Sequence, residues 1–329
     1  MRILHGTWTA LLKILYKRTR YRRVVLKLDE LALFDGLIWL RTGGEVSRRF
    51  SCAQSTVSRN TVKVLELFGL ELVRDDLGEW QLLGDLSLLN AERLVHQKAR
   101  WASRAPLRLE ATYWTALSYC AAELGPWMLG NSDIMSIRHR HLLLEHRIVD
   151  CQITTLPDLL GPIDPRYRYL QLTAMQPFFV CAPDHPLTNV KNPSFDDLAA
   201  YPSLALPPQT FPKVEAALKQ LGLWNTPVRM YRYRYEKWEG KCESELLISY
   251  GNPLTHHIAP SPLHRLPLAL PFASGDVLVY RKDFERHPLL LALIERLSLA
   301  VDAVCEIVPG ITKVFAPLDA ATLEVPVRR

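Results

Sequence analysis

Residues 54 to 59, Gln-Ser-Thr-Val-Ser-Arg, combine side chains that can touch the edges of nucleic-acid bases. A glutamine amide pairs with an adenine edge, and an arginine pairs with guanine or a phosphate. Three short hydroxyl residues let a helix come close while bonding phosphates. Gln54, Ser55, Thr56, Ser58 and Arg59 are therefore candidate base and phosphate contacts. Arg48, Arg49 and Lys63 supply flanking charge, which sets affinity and salt dependence rather than sequence choice, and no acid lies between Val46 and Leu65. The bland alternative is the solvated face of a small helical domain. Enzyme chemistry has no comparable signature: GxSxG, HExxH, GxGxxG and phosphate-loop sequences are absent. His256 and His257 are adjacent, a spacing that does not put both on one helical face, and His139-Arg140-His141 suits a helix cap or solvent. The six cysteines are dispersed with no CxxC pair, which fits buried thiols in a reducing compartment. Neither catalysis, a metal nor a cofactor is expected.

The elements around this stretch explain how it would be presented. Apolar residues from Leu28 to Leu40 recur at helical spacing and stop at Gly43-Gly44. Glu45 to Phe50 make a short helix and Ser51-Cys52 a turn. A longer helix follows from Ala53 or Gln54, its buried stripe formed by Val57, Val64, Leu65, Phe68 and Leu72. This is the arrangement of a helix-turn-helix, whose second helix enters the major groove. The turn Asp76-Leu77-Gly78 between short apolar runs predicts a β-hairpin wing. Residues 86 to 103 form a connecting helix, ended by Pro106.

The net charge of +6 is concentrated at one end. Residues 1–27 hold eight Lys or Arg and no acid; residues 28–104 carry ten basic and eleven acidic side chains. Global basicity therefore says little about the folded part. The apolar run 3–16 precedes its basic residues, the reverse of a secretory signal, and is short and interrupted by Lys13. Residues 1–27 are expected to be a basic extension, and the protein to be cytoplasmic with no membrane partner.

From Leu107 the pattern alternates between short strands and helices, which predicts an α/β architecture with largely parallel sheets, in two small lobes. Strands are expected at LRLE, DIMSIRH, IVDCQIT, FFVCAP, PSLALPP, VRMYRYR, ELLISY, LPLAL and DVLVYR.

With these motifs in place the chain resembles the LysR-type transcriptional regulators. The match is closest over Ser47 to Gly69, including Gln54-Ser55-Thr56-Val57-Ser58-Arg59; LLLEHRIVDCQI and CAPDHPL extend it, and it spans about residues 28 to 305. The sequence departs from the family at Val46-Ser47, at Val64-Leu65 and at Asp75, where an acid stands in place of an arginine and would repel phosphate. The resemblance implies a winged helix-turn-helix (28–84), a linker helix (85–105) that pairs with its twin in a homodimer or homotetramer, and a two-lobed α/β effector domain (106–310). That domain would be like the type 2 periplasmic binding proteins; a tail (311–329) follows. The implied partners are double-stranded promoter or operator DNA and a small effector in the cleft. Helix N-termini at strand ends attract anions, so an anionic effector is expected beside Thr112, Tyr113, Trp114, Thr115, Ser136, Ser249, Gly251 and Asn252. A ligand-binding or docking module that has lost DNA binding is the alternative, motivated by Asp75.

Overall fold

The computed structural model describes residues 26–76, 78–159, 164–259 and 263–318. The basic extension up to residue 25, Leu77 of the wing turn and the tail beyond 318 lie outside the described residues.

Three helices, α1 (Leu28–Leu40), α2 (Gly43–Arg49) and α3 (Gln54–Phe68), precede a hairpin of β1 (Glu71–Arg74) and β2 (Trp80–Leu83). The hairpin is antiparallel, with Glu71 opposite Leu83 and Arg74 opposite Trp80. Leu31, Phe34, Ile38 and Trp39 of α1 pack against Val46, Val57 and Val64 in one buried core, with Leu65, Phe68 and Leu72 partly buried beside it. Helix α1 stops earlier than its sequence suggests: Arg41 has φ 72, Thr42 then caps α2 by accepting from the Glu45 N–H, and Gly43-Gly44 open the second helix instead of closing the first. Gly69 ends α3 at φ 64, the left-handed conformation that glycine adopts without steric cost.

Helix α4 (Ser87–Trp101) leads into β3 (Leu107–Glu110), α5 (Tyr113–Tyr119), β4 (Trp127–Leu129), α6 (Ile137–Glu145), β5 (Cys151–Leu156) and β6 (Tyr167–Met175). The second lobe holds β7 (Phe178–Cys181), α7 (Phe195–Ala199), β8 (Leu204–Ala205), α8 (Pro212–Lys219), β9 (Thr226–Pro227), α9 (Glu239–Ser244), β10 (Ser249–Gly251), α10 (Pro253–Ile258) and β11 (His264–Ala269). The chain then returns through β12 (Gly275–Arg281), α11 (Pro288–Ile307) and β13 (Ile311–Pro317).

The first lobe is a six-stranded sheet in the order β13-β6-β12-β5-β3-β4, and the second carries a three-stranded sheet β10-β7-β11. Only β3 with β4, β3 with β5, and β8 with β9 are parallel among the described strands. The expectation of largely parallel sheets is thus corrected. Strand β12 re-enters from the second lobe with no helical crossover and inserts antiparallel between β5 and β6. Residues 311–317, expected in a tail, form β13 on the edge of this sheet because Ile311 to Lys313 pair with β6. DIMSIRH and VRMYRYR are not strands. Each contributes one residue, Ile134 and Arg232, to an isolated bridge, and the backbone around Arg232 is irregular.

Candidate nucleic-acid interface and ligand cleft

The first turns of α3 form an open polar face. Gln54, Ser55, Ser58 and Arg59 are exposed and Thr56 half-exposed, while Val57 points into the core. Their hydrogen bonds stay inside the helix: Ser58 Oγ donates to the Gln54 carbonyl, Arg59 Nε to the Ser55 carbonyl, and Arg59 Nη2 to Thr56 Oγ1, all at 3.3 to 3.4 Å. Bonds this long within one exposed turn exchange readily for others.

The flanking cations are engaged differently. Arg48 is exposed but pairs with Glu45 at 2.5 Å, and Lys63 meets Glu30 at 2.6 Å. Arg49, expected on phosphate, is tied inward: its guanidinium bonds Glu45, the Leu129 and Gly130 carbonyls and Asn131 Oδ1. Glu45 adjoins the acid-free run of sequence, whereas Glu30 comes from α1. Asp75, expected to repel phosphate, accepts from the Glu79 N–H and from Gln81 Nε2, and so closes the wing turn.

The opposite side of the head is docked on the rest of the chain by buried charges from α4 and both lobes. Arg232 donates from Nε and Nη2 to both Glu79 carboxylate oxygens and from Nη1 to Asp133, each at 2.7 Å. Burial raises the Glu79 pKa, but the Arg232 bonds and charge outweigh it and hold the carboxyl below its ordinary value. Asp35 of α1 takes two bonds from Arg93 of α4, both side chains being 1% exposed. Further along α4, Arg100 and Gln97 bond Asp150. Trp39 Nε1 donates to Glu110 at 2.5 Å, and burial pushes that carboxyl up to about 7. Trp101 stacks on Phe284 with 4.3 Å between rings, fixing the end of α4 to the first lobe.

Between the lobes lies an open cavity. Tyr113, Trp114, Gly251 and Asn252 line it as expected from sequence, joined by Phe211, Trp224, Trp238, Tyr250 and Phe272. The other expected residues stand elsewhere. Thr112 and Thr115 are buried and bond each other at 2.8 Å, Ser249 is buried in β10, and Ser136 caps α6 and borders a separate cavity with Asp75 and Glu79.

Thr112 accepts from the Thr115 N–H at the start of α5, and Asn252 accepts from the Thr255 N–H at the start of α10. Each cap takes one of the N–H groups left free at its helix N-terminus. Trp114 is oriented by donating to Asp276, which also accepts from Tyr119 and Thr173; burial raises that carboxyl to about 6. Across the cleft, Tyr113 stacks on Tyr233 at 3.5 Å, and both hydroxyls donate to Glu239. The aromatic cleft residues follow no periodic pattern, so spacing alone does not single them out.

Among the described residues no group of three His, Cys, Asp or Glu is placed to hold a metal, and no helix is long and apolar enough to cross a membrane.

Residues 138–300 match the family description LysR substrate binding domain. No curated protein matches the chain. Full-length OxyR from Pseudomonas aeruginosa superposes with a TM-score of 0.52 at 18% identity, covering 88% of this chain and 99% of that one. A probable transcriptional regulator from the same organism gives 0.49 at 15% identity over 83% and 96% of the two chains. CbnR, solved with its target DNA, gives 0.47 at 13% identity over 84% and 100%. Residues 138–300 are thus a LysR substrate binding domain, and the chain as described shares the fold of a full-length regulator of that type.

Proposed function

We propose that this protein is a cytoplasmic, sequence-specific DNA-binding regulator in which α3 reads base edges and a small effector binds between the lobes. The observation that carries the proposal is the open face of α3. In a head whose other charges are largely committed to ion pairs, Gln54, Ser55, Ser58 and Arg59 stay exposed at the helix end that would enter a major groove. Gln54 and Arg59 make the base contacts; Ser55, Thr56, Ser58 and Arg48 reach phosphates. Asp75 accepts two hydrogen bonds within its own turn, which orients its carboxylate toward the wing.

The connecting helix supports a dimer. Its charged side is buried against its own chain, while Leu88 and Val95, 68% and 56% exposed, leave an apolar stripe with Ala91 for a second copy. Two linked heads on a palindromic site gain affinity through effective concentration. Arg232 and Tyr233 are neighbours in sequence, one bonded to the wing and the other stacked on Tyr113 in the cleft. A ligand that moves Tyr233 therefore disturbs the contact holding the wing.

Fluorescence anisotropy against the gene's own upstream DNA, with excess random competitor, tests the proposal. The wild type is expected to prefer its site, and Gln54→Ala and Arg59→Ala each to lose about 1–3 kcal/mol of that preference while folding normally. Equal affinity for specific and random DNA would refute it.

A further inference from the structure

We infer that the ligand of the inter-lobe cleft is a neutral, flat, largely aromatic molecule rather than an organic anion. This rests on the cleft being the effector site and adds the chemical class it selects. Eighteen described residues line the cavity; none is Lys, Arg, His, Asp or Glu, and seven are aromatic. Trp224, Trp238 and Tyr250 form one wall, with ring centroids 5.4 to 6.5 Å apart. Trp224 holds φ 62, an unusual backbone for a bulky residue, and its N–H donates to Ser203 Oγ at 2.8 Å and the Tyr250 hydroxyl at 3.2 Å. The backbone carrying this ring is thus held by the fold.

The nearest ionisable groups bonded to lining residues are acids. Glu239 receives the Tyr113 hydroxyl and Asp276 the Trp114 indole N–H. A carboxylate entering this cavity would shed its water, meet no cation on the walls and approach two acidic side chains. Burying a charge without a partner is strongly unfavourable, whereas a flat apolar ring gains from contact with the same walls.

The full-length protein should be titrated with 2-naphthamide and 2-naphthoate, similar in shape and different in charge, by calorimetry and tryptophan fluorescence. The amide is expected to bind at least about tenfold more tightly. Phe272→Arg places a cation at the half-exposed edge of the cavity, and the Phe272 contact with Gln176 uses only its backbone carbonyl. This variant is expected to reverse the order of the two probes, with thermal melting as the check on folding. Tighter or equal binding of naphthoate to the wild type, altered by Phe272→Arg, would overturn the ligand class and leave the cleft as the site. Binding of either probe that Phe272→Arg does not alter, or no binding at all, would overturn both.

Discussion

The N-terminal helical head has two polar faces that the fold uses in opposite ways. On α3, Gln54, Ser55, Ser58 and Arg59 are exposed and bonded only weakly within their own helix. On the side formed by α1 and the wing, Asp35, Glu79 and Trp39 are buried and bonded to Arg93, Arg232 and Glu110. The first face is available for an outside partner and contributes little to stability. The second spends its charges on positioning and has none to offer DNA. Charged residues in such a head therefore divide by burial and partner, not by type, and substitutions on the two faces should differ in kind.

The widest separation is expected at Arg232. Truncation to alanine leaves the Glu79 carboxylate buried without its main partner, a loss of about 3–5 kcal/mol, read by thermal or urea unfolding. Gln54→Ala on the open face should stay within about 0.5 kcal/mol of wild type in the same assay. Acid sharpens the contrast. The folded Glu79 pKa is below its ordinary 4.5, so the pair's stabilisation is fully present above about pH 4.5 and is lost as pH falls through the folded value. Arg232→Ala should flatten that part of the stability profile; an unchanged profile would show that the pair does not hold the head.

Glu110 carries the opposite sign. Its folded pKa is raised, so the native state favours the protonated form, and stability falls as pH rises from 4.5 through about 7. Glu110→Gln keeps an acceptor for Trp39 Nε1 and removes the charge. At pH 8 it should be more stable than wild type by about 3 kcal/mol, with the advantage vanishing below about pH 4.5. Equal stability at both pH values would mean that this carboxyl is solvated and not part of the docked face.

Some of this was legible in the sequence. The periodicity of α1, the Ser51-Cys52 turn and the polar start of α3 define the head because a helix-turn-helix is local: its contacts lie within about forty residues of one another. The docked face was not legible. Asp35 and Arg93 are 58 residues apart and Glu79 and Arg232 are 153 apart, and neither pair has a spacing that marks it. Strand direction failed for a related reason. The crossing of β12 between lobes is a long-range event, and the alternation of strands and helices does not reveal that the chain returns without a helix. In the cleft, Tyr113, Trp114, Gly251 and Asn252 could be found from the ends of local elements, whereas Trp224 and Trp238 arrive from irregular segments.

The smallest expected effect tests the border between the faces, where Arg48 and Arg49 are adjacent in α2 and both bond Glu45. Arg49 also donates to the backbone of Leu129 and Gly130 and to Asn131, so its guanidinium is occupied by the first lobe. Arg48 has 67% of its side chain exposed and only a surface ion pair, which salt screens and solvent competes for. Arg48→Ala should leave stability within about 0.5 kcal/mol and reduce the salt slope of DNA binding by about one, the loss of a single phosphate contact. Arg49→Ala should do the reverse, losing about 1–2 kcal/mol of stability from its hydrogen bonds with an unchanged slope. Anisotropy at several salt concentrations beside a urea melt separates the two. If Arg49→Ala lowers the slope as much as Arg48→Ala does, the α2 terminus leaves the lobe when DNA binds, and the docked face is a state of the free protein that the complex gives up.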